Sequence, residues 1–153
     1  MENIVIRYLE RPKLDDPIFV EGLPGIGNVG KLAAEHMKDE LKGVKFAEIF
    51  SKYFPPQVLV QDDGQIKLVN NEMHYVKRGN GKDIIFLTGD YQGLTPEGQY
   101  ELSDFILKEL KGLGVRRIFT LGGYGLGRMV TTPRGRGAAA DRARAKWPGQ
   151  PAD

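Results

Sequence analysis

The chain has 153 residues, room for about one domain, and its 41% hydrophobic and 27% charged content is ordinary for a soluble globular protein. It contains no cysteine, which excludes disulfides and thiolate metal sites, and only two histidines, His36 and His74, which argues against a histidine-built zinc site. The net charge of +2 hides an asymmetry: residues 128–153 carry six basic against two acidic side chains, a net of +4, leaving −2 for the body before them.

A basic tail on a mildly acidic body is a weak nucleic-acid signature, and no nucleic-acid partner is expected. The longest apolar runs, such as residues 84–87, are far too short to span a bilayer. The opening "MENIVIRYLERP" lacks the layout of a signal peptide, so the expected location is the cytoplasm, with no membrane partner.

In chain order, residues 3–9 (NIVIRYL) alternate Ile4, Ile6 and Tyr8 and predict a half-buried strand. The apolar run 17–23 (PIFVEGL) predicts a second. A helix is predicted over 28–41, with Leu32, Met37 and Leu41 on one side, His36 packed beside them, and Gly43 closing it. Residues 43–50 read as a strand, and 58–69 as a hairpin around Asp63-Gly64, which 72–78 extends as a meander. Residues 83–90 (DIIFLTGD) form a continuous apolar strand. Thr95-Pro96-Glu97 then marks a helix start: a capping hydroxyl, a proline at the first helical position and an acid at the positive helix end. Leu102, Ile106, Leu110 and Leu113 recur at helical spacing until Gly112 and Gly114, and 115–123 predicts a last strand.

This strand–helix–strand rhythm predicts an α/β domain: a mostly parallel sheet flanked by helices, with an antiparallel hairpin insert. In such sheets, sites form beyond the carboxyl ends of the strands. Three glycine-rich loops should gather there, over 21–31, 88–98 and 121–128. The candidate binding residues are Pro24, Gly25, Gly27, Asn28, Gly30 and Lys31 in the first, Asp90, Gln92 and Thr95 in the second, and Gly122, Gly123 and Tyr124 in the third. Tyr124 reads as an exposed recognition aromatic or a lid.

The first loop matches two phosphate-binding patterns at once. Gly25 to Lys31 spells most of a P-loop, but Leu32 stands where that motif needs a hydroxyl for magnesium. Gly25, Gly27 and Gly30 also spell GxGxxG, and Glu48 lies near the end of the next strand, where an acid would meet ribose hydroxyls. Spacing alone divides this reading evenly from glycines that only let a helix pack tightly on the sheet. Gly25 and Gly27 are both expected to hold demanding backbone geometry. Asp62 and Asp63 read as turn residues, Glu97 as a helix-start charge, and Ser51 and Ser103 lack a nucleophile-elbow setting; Asp90 is the one carboxylate left open. No catalytic, cofactor-binding or metal-ligating residue is assigned.

Taken together, "EGLPGIGNVGKLAAEHM", "KFAEIFSKYFPPQVLVQDDGQIKL" and "LTGDYQGLTPEGQYELSDFILKELKGLGVRRIFTLGGYGLG" closely resemble the proteasome assembly chaperone 2 family in its archaeal form. The resemblance runs in order from about Phe19 to Gly127. It implies a phosphorylase/hydrolase-like α/β fold, a non-enzymatic and oligomeric protein, and proteasome subunits and further copies of itself as partners. Residues 1–130 then form the α/β domain, incomplete relative to the family. Residues 131–153 form an atypical Ala/Arg/Gly/Pro tail, read as a truncated or frame-shifted end or as a disordered extension. The alternative is a small-molecule-binding or hydrolytic enzyme that uses the three-loop cleft.

Overall fold

A computed structural model describes residues 2–79, 81–129, 131, 132, 135 and 137. The proposed tail over 131–153 therefore falls almost wholly outside the described residues. The elements are β1 (Ile4–Tyr8), β2 (Ile18–Gly22), a single tight turn over Ile26–Asn28, α1 (Val29–Glu40), β3 (Val44–Ser51), β4 (Val58–Val60), β5 (Ile66–Leu68), β6 (Asn71–Val76), β7 (Ile84–Gly89), α2 (Pro96–Gly112) and β8 (Arg117–Thr120). Each predicted element is present within a few residues of its expected bounds.

Six strands form one sheet in the order β1-β3-β6-β7-β2-β8, and β4 and β5 make the separate hairpin. The expectation of a mostly parallel sheet is corrected here. β7, β2 and β8 pair in parallel, but β1 with β3, β3 with β6 and β6 with β7 are antiparallel. The sheet is mixed because β6 does not extend the hairpin. It leaves β5 and inserts between β3 and β7, burying Met73, His74 and Val76.

The helices cover opposite faces. The strand alternation sends Phe19, Ile85 and Leu87 to one side, where they pack with Leu102, Ile106 and Leu110 of α2 and with Phe46, Ile49 and Met73. Val20, Ile84 and Phe86 point the other way, toward Met37 of α1. This is what right-handed crossovers require, since the path from β2 to β7 and the path from β7 to β8 run in opposite directions across the sheet. The turn chemistry of α2 is as predicted: Thr95 caps it, its hydroxyl accepting from the Gly98 N–H at 3.0 Å, with Pro96 first in the helix. His36 departs from expectation and is exposed, because the buried face of α1 is made by Gly30 and Ala34.

At the end of the sheet away from the glycine loops, Asp83 ties two connections together. Its carboxylate is 1% exposed and accepts from the Asp15 N–H at 2.8 Å and the Arg78 N–H at 2.9 Å, and Lys77 Nζ lies 3.1 Å away. Burial opposes its charge, but these donors outweigh burial and hold the carboxyl below the usual aspartate range. Replacing Asp83 by alanine would leave two backbone donors without their acceptor. The variant should lose about 2–4 kcal/mol of stability in urea titration at neutral pH. The loss should shrink as pH falls through the native pKa of Asp83, because a depressed carboxyl stabilises only while ionised.

Candidate functional site

The three predicted loops meet at the carboxyl ends of β2, β7 and β8. Side-chain-to-backbone bonds join the first two: Lys31 Nζ donates to the Gly89 carbonyl at 2.9 Å, and Gln92 Nε2 donates to the Pro24 carbonyl at 2.5 Å. Lys31 also pairs with Glu35 at 3.4 Å. The third loop joins the first by close backbone approach. A Cβ on Gly30 would lie 2.0 Å from the Leu121 carbonyl oxygen, and one on Gly123 would lie 2.2 Å from the Ile26 carbonyl oxygen. The Leu121 N–H donates to the Glu21 carbonyl at 2.9 Å. Glycine there lets one backbone lie on another, as the packing alternative for GxGxxG requires.

The individual candidates divide. Gly27 holds a left-handed backbone at φ +62°, and Asn28 follows it at +51°. Gly25 does not bear out its expectation: its backbone is extended at φ −162°, and the nearest atom to an added Cβ is 3.9 Å away. Asp90 is engaged structurally, 3.4 Å from Lys67 Nζ and accepting from the Asn70 N–H at 3.4 Å. Thr95 is spent on capping α2. Gly122 has open space around it, and Tyr124 is 82% exposed.

Glu48 does not serve the first loop. β6 and β7 separate its strand from β2, and its carboxylate accepts from Lys45 Nζ at 2.9 Å and Arg7 Nε at 2.9 Å. It belongs to a chain of alternating charge running through Arg7, Glu48, Lys45, Glu72, Lys67 and Asp90. Burial alone would raise the Glu48 and Glu72 carboxyls. Lys45 and Arg7 for the first, and Lys67 and Lys45 for the second, hold both below the usual range. Such a fully paired network reads as structure. His74 lies beside it, its imidazole pushed down to about 4 by burial first and by Lys38 next.

On the opposite face of the same strands lies a cleft of about 270 Å³ between α2 and the sheet. Phe19, Leu23, Leu87, Leu102, Ile106 and Ile118 line it, and Glu21 stands among them. Glu21 is in register with Leu87 on β7 and Thr120 on β8. Among the described residues no ion pair or side-chain hydrogen bond reaches its carboxylate, and burial pushes its pKa above the usual glutamate range. Sequence reading passed over it. The signal was available: one acid interrupts the apolar run IFVEGL, two residues after Phe19 and so on the same face.

Among the described residues no helix is long and apolar enough to cross a membrane, and no group of three or more His, Asp or Glu side chains is placed to hold a metal. Two measurements test this geometry. Gly30→Ala should cost about 1–3 kcal/mol in chemical denaturation, since the third loop must lift from the first, while Gly25→Ala should stay within about 0.5 kcal/mol of the parent. Stability should also fall as pH drops from 6.5 toward about 4, because the unfolded chain protonates His74 where the native state does not. His74→Leu should flatten that part of the profile.

The crystal structure of Pyrococcus furiosus PbaB, described as an archaeal proteasome activator, is 43% identical, with a TM-score of 0.84 over 88% of this chain and 57% of that one. That of P. furiosus PbaA, described as an archaeal homologue of proteasome-assembly chaperone, is 26% identical, with a TM-score of 0.62 over 84% of this chain and 52% of that one. An uncharacterised protein of Methanocaldococcus jannaschii is 43% identical over 133 residues, which is 87% of this chain and 51% of the relative. The chain thus spans about half the length of these relatives. The PAC2 family model matches residues 19–151. On that match and these neighbours, the chain belongs to the PAC2 family.

Proposed function

We propose that this protein is a non-catalytic, oligomeric protein-binding module of the cytoplasm that engages proteasome subunits, built on a phosphorylase/hydrolase-like form of the α/β fold. The observation that carries this reading is the similarity to PbaB, at 43% identity and a TM-score of 0.84 over most of the chain. The surface supports it. β4 and β5 turn Val58, Val60, Ile66 and Leu68 outward as two cross-strand pairs, and all four are exposed. Among the described residues β8 is an edge of the sheet and leaves Ile118 and Phe119 exposed on opposite faces, where a parallel strand is ordinarily covered. Contiguous apolar area of this kind marks protein contacts. The three-loop cluster, with its polar groups spent on holding the loops together, supports interaction through shape more than chemistry.

Light scattering after size-exclusion chromatography should give a mass above one chain, and the protein should be retained by immobilised archaeal proteasome α subunits. Val60→Lys combined with Ile66→Glu changes only exposed positions. It should leave the circular dichroism spectrum unchanged while weakening self-association or retention. A concentration-independent monomer that neither binds α subunits nor takes up a hydrophobic dye would refute the proposal.

A further inference from the structure

The cleft beneath α2 contains a feature that protein packing does not explain. Glu21, half-buried, sits on β2 next to the edge strand β8, in a row with Met73, Leu87 and Thr120 across the ladders, and faces the apolar side of α2. An ionised carboxylate in such surroundings is costly unless a cation or several donors meet it. Elsewhere this protein meets the cost. Glu48, Glu72 and Asp83 all have ion-pair partners within 3.5 Å. Glu21 has none among the described residues, and its strand neighbours offer only the Thr120 hydroxyl on the same face. Among the described residues no lysine, arginine or histidine lines the cleft, and its remaining polar groups are the neutral side chains of Asn71, Gln92, Gln99, Ser103 and Thr120.

We infer that this cleft is a binding site for a small organic cation, an ammonium group carried on an apolar body. Glu21 receives the charge, and Phe19, Leu87, Leu102, Ile106 and Ile118 receive the body. Charge complementarity sets the class: among the described residues the one formal charge in the lining is negative, so it disfavours an anion, and a neutral molecule can give the carboxylate a hydrogen bond but not an opposite charge. The volume, about 270 Å³, lies at the small end of ligand pockets and restricts the ligand to a compact amine. The position fits as well. β2 and β7 send their following helices to opposite faces, and ligands in α/β sheets bind outside the carboxyl ends of strands at such a reversal. Gln92, which bonds the Pro24 carbonyl, also lines the cleft, so occupancy here and the arrangement of the first two loops share a side chain.

Benzylammonium is a suitable probe, with benzyl alcohol and benzoate as the neutral and anionic counterparts. Near neutral pH, isothermal titration of the whole chain should show saturable binding of benzylammonium. Benzyl alcohol should bind at least about tenfold more weakly, as expected when the hydrogen bond to Glu21 loses the opposite charge of the ammonium, and benzoate should not bind. Glu21→Gln, which removes the charge and keeps the shape, should bring the ammonium and the alcohol to equal affinity. It should melt no lower than the parent, because it relieves an unpaired carboxylate. Leu107→Trp, at an exposed position on the cleft wall, should block all three probes and provides the test if the glutamine variant does not fold. Equal benzylammonium affinity in the parent and Glu21→Gln, retention of binding in Leu107→Trp, or no saturable binding by the parent would each overturn the assignment.

Discussion

The whole arrangement depends on how closely α1 lies on β2. A Cβ on Gly22 would come within 2.3 Å of both the Ala34 Cβ and the Gly30 carbonyl oxygen, so helix and strand meet almost backbone to backbone. Any larger side chain at that contact would lift the helix. Lifting it would draw Gly30 away from Leu121 and Lys31 away from the Gly89 carbonyl, and the three loops would separate. Glycine at these points has an entropic cost in the unfolded chain, which the close packing must offset.

With the helix so placed, the two faces of the sheet take different electrostatic characters. The α1 face carries a chain of alternating charge from Arg7 to Asp90, in which each acid has a basic neighbour and the Glu48 and Glu72 carboxyls are held low. The α2 face is apolar apart from Glu21 and the neutral polar rim of its cleft. The first pattern is how a protein accommodates partly buried charge, and its members individually add little stability. The second leaves Glu21 without a charged partner among the described residues, and a shifted, unpaired acid in a cleft is a candidate binding group.

Exposed apolar side chains are spread over much of the described surface; those of the hairpin β4–β5 lie away from both regions, whereas on β8 Ile118 belongs to the cleft and Phe119 faces the other way. Rigid loop packing at the carboxyl ends of the strands, a polar-apolar cleft beneath α2 and an apolar hairpin surface thus occupy different parts of the described chain. Under the function proposed above, the hairpin surface is where protein contacts form.

The sequence by itself determined each helix and strand among the described residues, the capping of α2 and the convergence of three loops, because these follow from local periodicity, proline, and glycine at turns. It also carried the family, through motifs that are weak singly and specific in order. Strand partners lay beyond it: nothing in residues 71–76 says that they leave the hairpin and enter between β3 and β7, since pairing is decided by distant segments competing for the same edge. The use of Glu48 turned on that placement, because β6 and β7 carry it away from the first loop. His36, read as packed, is exposed because α1 rests on glycine and alanine instead of its larger side chains. Gly27 is demanding as expected, in a left-handed backbone, and Gly25 proved free; the close approach of Gly30 to Leu121 was not legible, because the two are far apart in the chain. Glu21 was visible as an acid in an apolar run, but only the tertiary structure shows that no cation among the described residues reaches it, because partnership between charges is a property of space.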